Sequence, residues 1–230
     1  MTFNRLPPGT TVSGHPIQAQ ITNRVQPKRF CYLIAGTHGD EPEGVYVLDQ
    51  LISWLKVSPS EIPMVIIPVL NPDGFAAGSR VNANGVDLNR NLPTPNWTEQ
   101  SRNDQYSPGP APGSEPENRY LLSLFQQYPP GFVLTFHSWK PMLNSNGDCN
   151  DILTFLHRKN DYPVVKDEIE GHPTPGSLGS YASEILKTPV LTFECPTLEQ
   201  QPDMDAIWQE NRQALTGLMT SRLIEKKLGL

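Results

Sequence analysis

Short apolar, β-branched runs alternate along the chain with stretches whose apolar residues recur every three or four positions. The runs Phe30–Ala35, Met64–Leu70, Val133–Phe136 and Val190–Phe193 predict strands. Helical spacing predicts helices over Gly44–Lys56, Glu115–Gln127, Leu178–Leu186 and Ala206–Leu228. In the first of these, Val45, Leu48, Leu51, Ile52 and Leu55 make one apolar stripe. Ser114 followed by Glu117 has the form of a capping box at the start of the second. Strands alternating with helices predict an α/β fold with a mixed, mostly parallel central sheet flanked by helices. Neither an internal repeat nor a second domain is visible, so residues 1–230 are read as one catalytic-sized domain.

Proline interrupts this pattern most heavily between Leu92 and Pro116, "LPTPNWTEQSRNDQYSPGPAPGSEP". That segment is too broken for a helix or a central strand. The flanking segments read as parts of one sheet, so it is expected to be a long ordered surface loop. Charge adds only exclusions. The net charge is −6 and the densest basic cluster is the terminal "EKK", which argues against nucleic acid or an anionic membrane as partner. No apolar run reaches membrane-spanning length, and "MTFNRLPPGTT" has no signal-peptide pattern. Cys31, Cys149 and Cys195 lack paired spacing. They are read as reduced thiols, and a cytoplasmic location is expected.

The polar residues at the strand ends carry the chemistry. "AGTHGDEPEG" places His38 and Glu41 after the first strand, "NPDG" follows the second, His137 the third and Glu194 the fourth. In parallel sheets, ligands gather at the carboxyl ends of strands, so these segments are expected to converge. Two His and one Glu are a common set for a hydrolytic zinc ion with an open position for water. His38 and Glu41, three residues apart, can turn onto one ion, with His137 as the third ligand. A carboxylate placed directly after an apolar strand, as Glu194 is, is desolvated toward the pKa range useful for proton transfer. In "GSRVNANGVDLNRNLP", Arg80 and Arg90 are permanently charged donors. Asn89 and Arg90 together can fork a carboxylate, and Arg80 can face an oxygen that becomes negative in a transition state. A charged surface salt bridge is the plainer reading of either Arg.

"GTHGDE", "NPDG", "NANGVDLNRN", "FHSW" and "LTFEC", in this order, resemble the zinc carboxypeptidases of carboxypeptidase A type. The likeness covers most of the chain. It implies a zinc carboxypeptidase-like fold, a hydrolase, and one zinc per chain on His38, Glu41 and His137. It further implies Glu194 as general base, Arg80 polarising the scissile carbonyl, and Asn89 with Arg90 on the substrate's terminal carboxylate. Gly176, Ser177 and Leu178 match the turn that lines the pocket for the released residue. His172 stands near where family members carry a Tyr that closes over the substrate. "RVNANGVDLNRNLP", "PGSEPE" and "TPGSLGSYASE" are similar to members that cleave the γ-D-glutamyl–meso-diaminopimelate bond of the murein tripeptide, a small peptide, during cell-wall recycling. The alternatives are a general metallocarboxypeptidase, an N-acyl amino acid deacylase of aspartoacylase or succinylglutamate desuccinylase type, and a binding protein on the same fold. Asp148 and Asp151 are candidates for the distal ammonium of diaminopimelate, with an ordinary polar turn as the simpler reading. Cys195, beside Glu194, is read as packing.

Overall fold

The computed structural model describes residues 2–22, 27–58, 60–167 and 171–230. At its centre, eight strands form one sheet. In chain order these are β1 (Phe3–Arg5), β4 (Gln20–Thr22), β5 (Phe30–Ile34), β6 (Met64–Ile67), β7 (Pro130–Trp139), β8 (Met142–Asn146), β9 (Val164–Lys166) and β10 (Val190–Pro196). The spatial order is β1-β4-β6-β5-β7-β10-β8-β9. β6, β5, β7 and β10 run parallel to one another, while β8 lies antiparallel to β10. Two short strands between β1 and β4, β2 (Gly9–Thr10) and β3 (Pro16–Ile17), pair separately as a small hairpin.

β5 shows why its sequence is apolar throughout. Alternate side chains leave a strand on opposite faces. Cys31 and Leu33 enter one apolar cluster, Phe30, Tyr32 and Ile34 the other. Helices α1 (Pro42–Val57), α4 (Asn150–Asn160), α6 (Met204–Thr220) and α7 (Leu223–Leu228) cover the first face. Helix α3 (Pro116–Gln127) covers the second, and the Tyr32 hydroxyl donates to the carbonyls of Leu124 and Tyr128 at its end. Among the described residues no helix is long and apolar enough to cross a membrane.

Several expectations change in detail. The predicted helix Ala206–Leu228 is two helices, separated at Ser221 and Arg222, where Ser221 takes an extended conformation and closes α6. Leu178–Leu186 is a short turn, α5 (Leu178–Ser180), continued by a wider π turn at Tyr181–Ile185. The capping box does not form. Helix α3 begins at Pro116, the Ser114 hydroxyl donates to Glu115, and Glu117 accepts from Asn82 instead. "NPDG" is a helix start rather than a plain loop. Asn71 caps α2 (Pro72–Ala77) by accepting from Gly74 N–H at 2.9 Å, and Pro72 takes the first turn, where its missing N–H costs nothing. Asp73 then holds the hairpin through Thr11, Ser13 and His15. Gly39 explains why the first motif needs this partner. A side chain there would fall 2.0 Å from the backbone carbon of Gly74.

Candidate active site

His137 and Glu194 were expected just beyond their strands. Both lie inside them, because β7 runs on to Trp139 and β10 to Pro196. The strands are parallel neighbours in register, with Glu194 opposite His137. Phe136, Phe193 and Cys195 enter the apolar cluster under α1, so the period of two sends His137 and Glu194 to the other face. Glu41 arrives from the turn that starts α1, where it occupies the position preceding Pro42.

These elements bring the predicted metal ligands together. One ligand atom each from His38, Glu41 and His137 lies within 4.8 Å of the others. His38 Nδ1 is 2.7 Å from Glu41 Oε1, and His137 Nδ1 is 2.8 Å from Glu41 Oε2. The two Nδ1 atoms are 3.2 Å apart. The far nitrogen of His38, Nε2, is 3.1 Å from Asp87 Oδ1 and donates to it. That bond leaves the Nδ1 lone pair directed at the cluster, the tautomer a metal ligand requires. Two imidazole lone pairs and a carboxylate crowded into one buried point repel one another unless a cation or protons intervene. The donor set therefore fits a divalent ion of zinc type. Electrostatics agrees in direction. Burial opposes ionisation of Glu41, yet His38 and His137 pull its pKa well below the ordinary carboxylate value. Burial likewise opposes the charged form of His38, but Glu41 and Asp87 outweigh it and raise the imidazole pKa.

Glu194 behaves differently. Its Oε2 is shut off from solvent and has no hydrogen-bond partner among the described residues. Burial, reinforced by Glu41 and opposed by His137 and Arg80, pushes its pKa up to about 7. An unsatisfied buried carboxylate oxygen is uncommon and calls for an explanation, and a proton-transfer role supplies one.

Arg80 is held beside the cluster. Its Nε and Nη2 donate to Asp87 Oδ2 at 3.1 and 2.9 Å, and its Nη1 is 3.4 Å from Glu41 Oε1. Asp87 is the residue the sequence reading missed. It orients His38, anchors Arg80, and accepts from Asn89 N–H at 2.8 Å. The available signal was an acid two positions before the Asn-Arg pair. Arg90 is largely buried and uses Nη1 on the Asn89 carbonyl at 2.7 Å, with Asp87 only at 4.0 Å. The Asn89 side-chain oxygen accepts from Leu178 N–H at 2.9 Å, which leaves its NH2 end as the donor.

The Gly176–Leu178 turn is joined to this clamp. Leu92 N–H donates to the Gly176 carbonyl at 2.9 Å. Gly176 has φ +71°, and a side chain on it would fall 2.2 Å from the Arg90 carbonyl oxygen, so only glycine fits. Ser177 caps the following turn through Ser180 N–H. His172 sits edge-on to Trp139, ring centroids 4.8 Å apart, and lines a cavity of about 330 Å³ together with Arg90, Arg102 and Tyr106. The Leu92–Pro116 loop contributes this wall. Asn91 fastens it by donating to the carbonyls of Pro108 and Ala111. The loop's short helical turn Asp104–Tyr106 lays the Tyr106 ring under three guanidinium groups, those of Arg80, Arg90 and Arg102. Asp148 and Asp151 do not join the site. They bind Lys227 at 3.2 and 3.1 Å, beyond the β8 residue that pairs with Val190, at the opposite end of β10 from Glu194. The three cysteines are free and buried.

Known proteins resemble this chain in sequence and fold. The family model described as zinc carboxypeptidase matches residues 5–186. Murein peptide amidase A of Escherichia coli is 34% identical over 181 residues, which cover 74% of this chain and 70% of the relative. The protein of the same name from Vibrio campbellii is 32% identical over 202 residues, 83% of this chain and 78% of that one. The crystal structure of murein-tripeptide amidase MpaA from Escherichia coli superposes with a TM-score of 0.76 at 29% identity, covering 93% of this chain and 90% of that chain. A matched family model over most of the chain, long relatives above 30% identity and a shared fold lead to one conclusion: this chain belongs to the zinc carboxypeptidase family and is a hydrolase.

Proposed function

We propose that residues 1–230 form one catalytic domain, a zinc-dependent amidase that hydrolyses the γ-D-glutamyl–meso-diaminopimelate bond of the murein tripeptide in the cytoplasm. The convergence of His38 Nδ1, Glu41 and His137 Nδ1 beside the unpartnered carboxylate of Glu194 carries the reading. The bond and substrate come from the names of the relatives and from the motifs shared with them.

His38, Glu41 and His137 would hold one zinc, and zinc held this way supplies Lewis-acid polarisation of an amide carbonyl and an acidified water. Glu194 accepts the proton of the attacking water at its free Oε2 and delivers it to the amine of diaminopimelate as the C–N bond breaks. A carboxyl pKa near 7 suits both transfers at neutral pH. Arg80 is positioned by Asp87 so that its Nη1 edge meets the carbonyl oxygen as that oxygen becomes negative. Arg90 and the NH2 end of Asn89 bind the free carboxylate next to the scissile amide, which makes the enzyme an exopeptidase. Gly176, Ser177 and Leu178, joined to the clamp through Leu92 and Asn89, would flank the released residue, and His172 lines the adjoining cavity with Arg90.

The test is hydrolysis of L-Ala-γ-D-Glu-meso-diaminopimelate by zinc-loaded protein, with chelator, an ordinary peptide and an N-acyl amino acid as controls. Chelator-sensitive release of diaminopimelate is expected. Release from only the ordinary peptide or only the N-acyl amino acid would replace this substrate, and no hydrolysis of any of them would make the chain a binding protein.

A further inference from the structure

The three guanidinium groups around Tyr106 are not equally compensated. The carbon at the centre of each lies 4.8 Å (Arg80) or 5.5 Å (Arg90 and Arg102) from the ring centroid. Arg80 has two carboxylates, Asp87 and Glu41. Arg90 has Asp87 only at 4.0 Å. Arg102 has no carboxylate partner among the described residues: its Nη2 donates to the Gly171 carbonyl at 2.9 Å, and its Nη1 is 3.5 Å from His172 Nδ1. The cavity that Arg90 and Arg102 line together holds no Asp or Glu, and its other polar walls include Gln100 and Ser101. Two like charges thus face one solvent-open cavity with no Asp or Glu in its wall. Such an arrangement favours a bound anion.

One substrate carboxylate satisfies Arg90 and Asn89. It leaves Arg102 over. The Arg102 group is planar, stacked on Tyr106 and tied to the Gly171 carbonyl, so it is oriented before any ligand arrives. Both guanidinium carbons lie 5.5 Å from the same ring centroid, so they are within twice that distance of each other. Any separation inside that bound can be spanned by two carboxylates on one small peptide.

We propose that Arg102, with His172 and the cavity wall, forms a second anion subsite that binds a second carboxylate of the substrate and makes the enzyme select polyanionic peptides. The inference rests on the amidase reading for its natural ligand, where two sources exist: the distal carboxylate of diaminopimelate and the α-carboxylate of the γ-linked glutamate. Arg102 is a binding residue in this account and takes no part in proton transfer.

Glu194→Gln protein, in which turnover is stopped, lets calorimetric titration read binding apart from hydrolysis. The ligands are L-Ala-γ-D-Glu-meso-diaminopimelate, the analogue with L-lysine in place of diaminopimelate, and the analogue with the glutamate α-carboxylate amidated. The full peptide should bind about tenfold more tightly than one of the analogues, the scale of one charge-assisted hydrogen bond to the exposed Arg102. Arg102→Ala should abolish that gap and Arg102→Lys should keep part of it. The analogue that shows the gap identifies the carboxylate. Equal weakening of all three ligands, or none, overturns the subsite. If no murein peptide binds, the amidase reading fails separately. Glutarate against butyrate then carries the test: a preference for the dicarboxylate that disappears in Arg102→Ala supports the subsite, and no preference overturns it.

Discussion

The two ends of the site are built on opposite principles. The metal-ligand end is enclosed and internally balanced. His38 has Glu41 and Asp87, His137 has Glu41, Arg80 has Asp87, and among the described residues Glu194 Oε2 is left without a partner. The carboxylate-binding end is open and unbalanced, with Arg90 and Arg102 facing a cavity that contains no acid. The first arrangement holds reacting groups still. The second leaves charge uncompensated until a ligand supplies it. His137 and Glu194 stand on two registered strands, whereas Arg102 and Tyr106 stand on a fastened loop.

That contrast can be broken at graded levels. Arg80→Ala should strike the balanced end hardest. It removes a donor aimed at the developing oxyanion and should lower kcat by about 10²–10³-fold, read in steady-state kinetics. An intact kcat would place Arg80 among the merely structural ion pairs. Asp87→Asn should act one layer out. It keeps an acceptor for His38 but removes the charge that orients it, so zinc affinity should fall by about 10–100-fold in a chelator competition. Unchanged affinity would mean that His38 needs no such support. Arg90→Ala belongs to the open end and should appear in KM, with a rise of about tenfold or more for substrates with a free carboxylate. The rise should vanish for carboxamide substrates; if the parent already accepts the carboxamide equally, the clamp is wrong. Leu33→Ala falls in β5, with its side chain in the apolar cluster on the face covered by α1. Its fully buried side chain should cost about 2–5 kcal/mol of stability in denaturant unfolding without altering the ratio of the two ends' kinetic effects.

The same contrast governs what could be read from the sequence. The apolar strands and the polar residues ending them were legible, because burial forces a period and a catalytic group interrupts it. The length of β7 was not, since His137 and Ser138 look like a strand's end and are buried inside it. Only the register with β10 shows that His137 and Glu194 stand side by side. Ser114 and Glu117 had the local form of a cap, but tertiary partners claimed both: Glu115 took the hydroxyl and Asn82 the carboxylate. Asp87 escaped notice because its role is to hold His38, which lies 49 residues away in the chain. Asp148 and Asp151 looked free to meet a substrate until the last helix supplied Lys227. Arg102 and Tyr106 sit in a proline-broken segment with no period at all, so only the folded loop reveals that they share a cavity with Arg90.

The account's central claim is that the His38, Glu41, His137 cluster and Glu194 are one reaction centre. Zinc content and hydrolysis of the murein tripeptide, measured together on the parent protein and on Glu194→Gln, test it most directly. The account predicts one zinc per chain in both proteins and a fall in kcat of about 10³-fold or more in the variant, within the range of losses seen when a general acid–base is removed. Near-parental turnover in Glu194→Gln with its zinc in place would contradict it.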